Sequence, residues 1–148
     1  MARVLVVDDH PDIRKLVTAI LSGDGHEVSS ANDGRQALEV LAFGTPDVLV
    51  LDVMMPLLDG YAVLEMMQAQ GLLARTKVLM LTAKNDEADW VKGYEMGVHH
   101  YLTKPFDPDD LSDVVSQLLA MSGKELEEHR EDERDRALLL ARLESLFD

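Results

Sequence analysis

The sequence contains no cysteine, which excludes disulfides, cysteine-based zinc sites and thiol nucleophiles. It has no apolar run near the ~20 residues that a membrane-spanning helix needs. Basic residues are scarce: 14 Lys and Arg stand against 28 Asp and Glu, for a formal charge of −14. The first 123 residues carry 9 basic and 19 acidic groups and the last 25 carry 5 and 9, so neither part is basic. Nucleic-acid phosphates would be repelled, because neutralising them supplies most non-specific affinity. No direct nucleic-acid partner and no membrane are therefore expected. The start, Met1-Ala2-Arg3-Val4-Leu5-Val6-Val7, is too short and too soon acidic for a secretory signal, so the expected location is cytoplasmic. The acidity itself reads mainly as solubility.

What is present is alternation. At 148 residues the chain suits one compact domain that buries about 70% of its unfolded surface. Strands are expected at Arg3–Asp8, Glu27–Ala31, Val48–Asp52, Lys77–Leu81 and His100–Thr103. Val4-Leu5-Val6-Val7 and Val48-Leu49-Val50-Leu51 are continuous and rich in β-branched residues, as in strands covered on both faces of a parallel sheet. Between them, Ile13, Leu16, Val17, Ile20 and Leu21 follow helical spacing, as do Leu111, Val114, Val115, Leu118 and Leu119. Shorter helical patterns follow Asp33-Gly34 and Asp59-Gly60. Asp107 suits an N-cap with Pro108 at the first helical position. The order is (βα)5, an α/β fold around a five-stranded parallel sheet.

In open α/β sheets the working site lies beyond the carboxyl ends of the strands. The first strand ends in Asp8-Asp9, the third in Asp52, the fourth at Thr82, and the fifth in Thr103-Lys104-Pro105. Three carboxylates, a hydroxyl and an ammonium therefore converge. Crowded carboxylates repel, and a hard divalent cation relieves them; few protein oxygens completed by water suit Mg2+ better than Ca2+. A carboxylate is a competent nucleophile towards phosphorus, and phosphoryl transfer needs mainly positioning and charge neutralisation. Each residue alone has a bland reading: Asp8-Asp9 as turn residues before Pro11, Asp52 as a cap, Lys104 as a loop residue. Their joint placement at four strand ends gives the pattern its weight.

The same residues resemble the receiver domains of bacterial two-component response regulators, over about residues 2–122. The resemblance rests on Val6-Val7-Asp8-Asp9, Leu51-Asp52-Val53-Met54-Met55-Pro56 with Asp59-Gly60, Leu81-Thr82-Ala83, and Tyr101-Leu102-Thr103-Lys104-Pro105-Phe106. It implies a flavodoxin-like fold with strand order 2-1-3-4-5. It further implies that Asp52 is the phosphorylated aspartate and that Asp9 is the direct Mg2+ ligand, supported by Asp8. Met54 would lend its backbone carbonyl to the metal. Lys104, before a cis peptide to Pro105, would pair with the phosphoryl group, and Ala83 would leave room beside the site and offer its N–H. Thr82 and Tyr101 would form a switch pair that alters a surface made by the fourth helix, fifth strand and fifth helix. The implied donor is a sensor histidine kinase or phosphotransfer protein, and the implied reader is a downstream protein. Such a chain catalyses only its own phosphorylation and dephosphorylation and is not a metabolic enzyme.

Three other functions are weighed against this. Aspartate-nucleophile phosphatases carry Asp-x-Asp after the first strand, whereas here the acids are adjacent. A phosphate-binding flavodoxin-like module would want a glycine- or hydroxyl-rich loop where this chain has Asp8-Asp9-His10-Pro11-Asp12. A pseudo-receiver that binds partners without phosphorylation would not need the complete residue set. His99-His100 invites a metal or pH-sensor reading, but strand neighbours point to opposite faces, so solvated or packing histidines are expected. Met54, Met55, Met66 and Met67 read as core filler.

After residue 122 the texture changes, and residues 123–148 are expected to be a charged helical extension outside the sheet. Leu139, Leu140, Leu143, Leu146 and Phe147 form one stripe, whereas Leu126 to Arg136 offers only local ion pairs, Glu127–Arg130, Glu131–Arg134, Glu133–Arg136 and Asp132–Arg136. The expectation is a helix that docks through its apolar end and serves self-association, as a homodimer, or partner contact.

Overall fold

The computed structural model describes residues 2–83 and 87–147, with backbone alone for Glu87 and Ala88. Strands and helices alternate as β1 (Arg3–Val7), α1 (Pro11–Gly23), β2 (Glu27–Ala31), α2 (Gly34–Leu41), β3 (Val48–Asp52), α3 (Gly60–Ala69), β4 (Lys77–Thr82), α4 (Glu87–Met96), β5 (His100–Thr103) and α5 (Pro108–Ala120). A final helix, α6, spans Gly123–Ser145. The five strands pair in parallel in the order β2-β1-β3-β4-β5. This is the expected flavodoxin-like architecture with a C-terminal helix added. Two strand ends move by one residue: Asp8 lies outside β1, and β4 runs on to Thr82.

Strand alternation builds two cores. Val4, Val6, Val48, Val50, Leu79 and Leu81 point to one face, beneath α1 and α5. Leu5, Val7, Leu49, Leu51, Val78 and Met80 point to the other, with residues of α2, α3 and α4. Both faces being covered explains the unbroken apolar runs. The helix starts follow local chemistry. Asp33, Asp59 and Asp107 cap α2, α3 and α5 by accepting the N–H of Gln36, Ala62 and Asp109. Pro11 and Pro108 open α1 and α5 in a preset conformation. Ser122 and Glu125 form a reciprocal capping box that starts α6.

Two expectations need correction here. Met55 and Met67 are buried, but Met54 is 71% exposed and Met66 is also exposed, so the methionines are not uniformly core filler. More consequentially, α6 does not dock through its apolar end. It lies along α4, with Ala137 buried in the α4-side core and Leu126 packed at the other. Its inward positions are Leu126, His129, Arg130, Glu133, Arg134, Ala137, Leu138 and Ala141, a stripe of helical period. Arg130 donates to the Tyr94 carbonyl and pairs with Glu127. Glu133–Arg136 also forms, at 3.5 Å, while Arg134 pairs with Asp135. Leu139, Leu140, Leu143, Leu146 and Phe147 stay exposed, Phe147 by 88%.

Only Ala137 of α6 is fully buried, with Leu126 packed against the other core, so its removal is survivable. Truncation after Ser122 is expected to leave the parallel sheet folded and to lower stability by about 1–3 kcal/mol, the value of one or two partly buried side chains. Urea unfolding followed by circular dichroism checks this; an unchanged midpoint would mean that α6 adds nothing to the domain.

Candidate functional site

Three strand ends meet around one ammonium group. Lys104, directly after β5, donates from Nζ to Asp8 Oδ2 at 2.9 Å and to Asp52 Oδ1 at 3.2 Å. Asp8 is fully buried and Asp52 is 3% exposed. The alignment follows from register. Val7 lies beside Leu51 across β1 and β3, and Asp52 lies beside Leu81 across β3 and β4. At the carboxyl ends of the strands, Asp8 therefore follows on to the level of Asp52, and Thr82 lies one residue further along β4. The Lys104–Pro105 peptide is cis, and the Lys104 N–H donates to the Thr82 carbonyl at 2.6 Å.

Asp9 joins the group, and so does His10. One ligand atom each of Asp8, Asp9, His10 and Asp52 lies within 4.8 Å of the others. His10 Nδ1 sits 3.2 Å from Asp8 Oδ1 and 3.2 Å from Asp9 Oδ1, and the His10 N–H donates to Asp8 Oδ1. Arg14, one turn into α1, donates to the Asp8 carbonyl at 2.8 Å. Neither His10 nor Arg14 is among the site residues expected from sequence. His10 follows the acid pair directly, which is a usable signal, whereas Arg14 reaches a backbone atom and leaves no motif.

Asp9 Oδ1 and Asp52 Oδ2 are buried oxygens without a hydrogen-bond partner among the described residues; His10 Nδ1 is near the former but not aligned with it. Burial pushes the Asp52 carboxyl up to about 6, the Asp8 carboxylate adds to the rise, and Lys104 opposes it. Three carboxylates with one intimate cation leave a negative surplus. Two orphaned carboxylate oxygens in such a pocket fit a hard divalent cation completed by water, as Mg2+ requires.

The remaining residues stand close by. Thr82 is buried at the end of β4, and Ala83 follows it, exposed. Met54 lies in the loop after β3 with its side chain turned to solvent. In that loop Leu57 has φ 70° and is fully exposed. Gly60 opens α3 so close to β3 that a Cβ there would fall 2.5 Å from the Asp52 carbonyl oxygen. The Asp59-Gly60 pair thus caps the helix and admits it beside the acid.

Tyr101 sits apart from the acids. Met80 is its partner in register, so alternation puts Tyr101, Met80 and Thr82 on the same face of the sheet. The Tyr101 ring is buried, stacked on Trp90 with centroids 5.1 Å apart, edge-on to Tyr94, and bonded through its hydroxyl to Tyr61 at 2.9 Å. Gly93 admits it: a Cβ there would lie 1.7 Å from the Tyr101 hydroxyl. His99 accepts the Val78 N–H on Nδ1 and donates its own N–H to the Val78 carbonyl. Burial lowers His99 to about 4, so it stays neutral near pH 7 and is no pH sensor there.

Comparison with known proteins points one way. Residues 4–116 match the family described as the response regulator receiver domain. The alkaline phosphatase synthesis transcriptional regulatory protein PhoP of Bacillus subtilis is 38% identical across 99% of this chain and 61% of its own length. The probable transcriptional regulator ycf27 of Cyanophora paradoxa is 41% identical across 79% of this chain and 48% of its own. The chain thus spans about half to three fifths of these curated relatives. The chemotaxis response regulator CheY4 of Vibrio cholerae superposes with a TM-score of 0.75 at 35% identity, over 80% of this chain and 98% of its own.

The raised Asp52 pKa sets a pH dependence. Its folded value, about 6, exceeds the ~3.9 of an unfolded aspartate. The folded chain therefore holds the extra proton between these values and loses stability as pH rises through that window. Asp52→Asn escapes the loss. It is expected to be more stable than wild type by about 1–3 kcal/mol near pH 7.5 and nearly equal to it near pH 4. Urea midpoints at both pH values check this. A gap that does not change with pH would contradict it.

Proposed function

This chain belongs to the response regulator receiver domain family, and on that premise we propose that Asp52 accepts a phosphoryl group from a sensor histidine kinase or a phosphotransfer protein. The observation that carries the reading is the buried Asp52 carboxylate, held on one oxygen by Lys104, unpartnered on the other and faced by Asp8 and Asp9. In the proposed step Asp52 Oδ2 attacks the phosphorus of a phosphohistidine. A P–O bond forms as the P–N bond breaks, and the departing imidazole takes a proton from solvent. Lys104 exchanges its Asp52 oxygen for a phosphoryl oxygen and neutralises it. The Thr82 hydroxyl and the Ala83 N–H donate to the others. Asp9 and Asp52 would hold Mg2+, with Asp8 supporting and the Met54 carbonyl adding an oxygen. The ion supplies positive charge against the phosphoryl oxygens. The same residues serve hydrolysis of the aspartyl phosphate, so the catalysis is confined to this chain's own phosphorylation and dephosphorylation.

The phosphoryl group acts by favouring one of two conformations through differential contact. Thr82 and Tyr101 share a sheet face, so a Thr82 hydroxyl drawn to the phosphate changes the packing that Tyr101, Trp90 and Tyr94 share. The output is the surface of α4, β5 and α5, read by a downstream protein. In this chain α6 lies along α4, so output runs through a shift of α6. The exposed Leu139–Phe147 tip supports contact with a second copy or another protein. A cytoplasmic setting follows from a kinase donor.

Intact mass after incubation with a small-molecule phosphodonor and Mg2+ tests the core of this reading. Wild type gains one phosphoryl mass that hydroxylamine removes, and Asp52→Asn gains none. Thr82→Ala still gains it but loses the accompanying change in Trp90 fluorescence. Efficient, hydroxylamine-labile modification of Asp52→Asn would overturn the assignment.

A further inference from the structure

His100 and His129 meet where α6 crosses the edge of the sheet. His100 is the first residue of β5 and His129 lies on the inward side of α6. Their rings stack with centroids 5.4 Å apart at 21°, and His100 Nδ1 is 3.2 Å from His129 Nε2. Glu133 follows His129 by one helical turn, so both occupy one face of α6. One atom from each of the three residues lies within 4.8 Å of the others.

The spacing suits a shared ion. Two imidazole nitrogens bound to one cation at ~2.0–2.1 Å in tetrahedral geometry stand about 3.3 Å apart. We propose that His100, His129 and Glu133 form a transition-metal site of the zinc class that fastens α6 to β5. Two nitrogens and one carboxylate oxygen suit zinc-class ions, whereas Mg2+ prefers oxygen alone. The site is therefore chemically distinct from the acid cluster at Asp8, Asp9 and Asp52. His99 takes no part, because its Nδ1 accepts the Val78 N–H.

The surroundings favour ligation. His100, His129 and Glu133 are all half-buried, so an ion among them is partly shielded from water. Glu133 Oε1 also meets Arg136 at 3.5 Å, so the carboxylate bridges the cluster to a neighbouring cation. Three protein ligands leave a fourth position for water. The ligands come from two elements, so all three meet the ion only when α6 is docked, and the third ligand's contribution stabilises docking. His100 lies beside Leu79 in register and Tyr101 beside Met80, so the fastening sits on the sheet face opposite the Tyr101 ring.

The test is Zn2+ binding by the full, metal-stripped chain, read by competition with a chromophoric chelator in millimolar Mg2+. Wild type takes one equivalent. His129→Ala and Glu133→Gln each weaken it at least about tenfold, since loss of an outer-shell partner alone costs 10–100-fold. Asp9→Ala keeps the Zn2+ affinity of wild type. Circular dichroism establishes that each variant is folded. Cobalt(II) in place of zinc gives intense visible bands of tetrahedral nitrogen ligation, and zinc slows amide exchange along α6. Equal Zn2+ affinity in wild type and His129→Ala, or affinity lost with Asp9→Ala instead, overturns the site. Neither outcome bears on whether Asp52 accepts phosphate.

Discussion

Lys104 holds together what the rest of the site depends on. Its ammonium is within hydrogen-bonding distance of Asp8 and Asp52, and the three residues follow or end β5, β1 and β3. Burying two carboxylates beside one ammonium is an expensive arrangement, because desolvation of each ion costs several kcal/mol and only close pairing offsets it. Here the pairing is incomplete. One Asp52 oxygen accepts no hydrogen bond from the described residues, and Asp9 adds a third negative group. Burial first and the Asp8 carboxylate second raise the Asp52 pKa, against the pull of Lys104. A pocket held in negative surplus by the fold is one that a divalent cation, and then a phosphoryl group facing that cation and Lys104, would bring to balance.

The charge cluster and the aromatic cluster are joined by strand geometry. Thr82 ends the strand that carries Met80, and Met80 lies beside Tyr101 in register. A change at the carboxyl end of β4 therefore reaches the Tyr101 ring within one pleat. That ring is hemmed in by Trp90, Tyr94 and Tyr61 and seated over Gly93, a packed arrangement with little room for intermediate positions. In the proposed switch, such packing would favour two discrete states, and a phosphoryl group at Asp52 would shift their populations. Tyr94 in turn receives Arg130 of α6 on its carbonyl, so the added helix touches that cluster directly.

The architecture was largely legible in the sequence, because doubly covered strands must be continuously apolar and each βα unit carried its own punctuation. Glu27–Ala31, Val48–Asp52 and His100–Thr103 stand at the expected bounds. Asp8, Asp52, Thr82 and Lys104 were legible for the same reason: residues at the ends of parallel strands fall close together. The docking of α6 was not. Its inward stripe is Leu126, His129, Arg130, Glu133, Arg134 and Ala137, which an apolar-periodicity rule cannot detect, while the apolar stripe that the rule does detect faces solvent. His100 reads as a packing residue when only its strand neighbour is considered, since its partner lies 29 positions on, in another element. Arg14 is silent because it serves a backbone carbonyl.

The central claim is that Asp52 is an acid kept from easy ionisation by its burial first and by the Asp8 carboxylate second, and relieved by a divalent cation. Carbon-13 NMR titration of its side-chain carboxyl measures this directly. The account predicts a midpoint near 6 without divalent metal and a clear fall when Mg2+ is added, with the fall lost in Asp9→Ala. A midpoint near the ~3.9 of an unperturbed aspartate, indifferent to Mg2+, would contradict it.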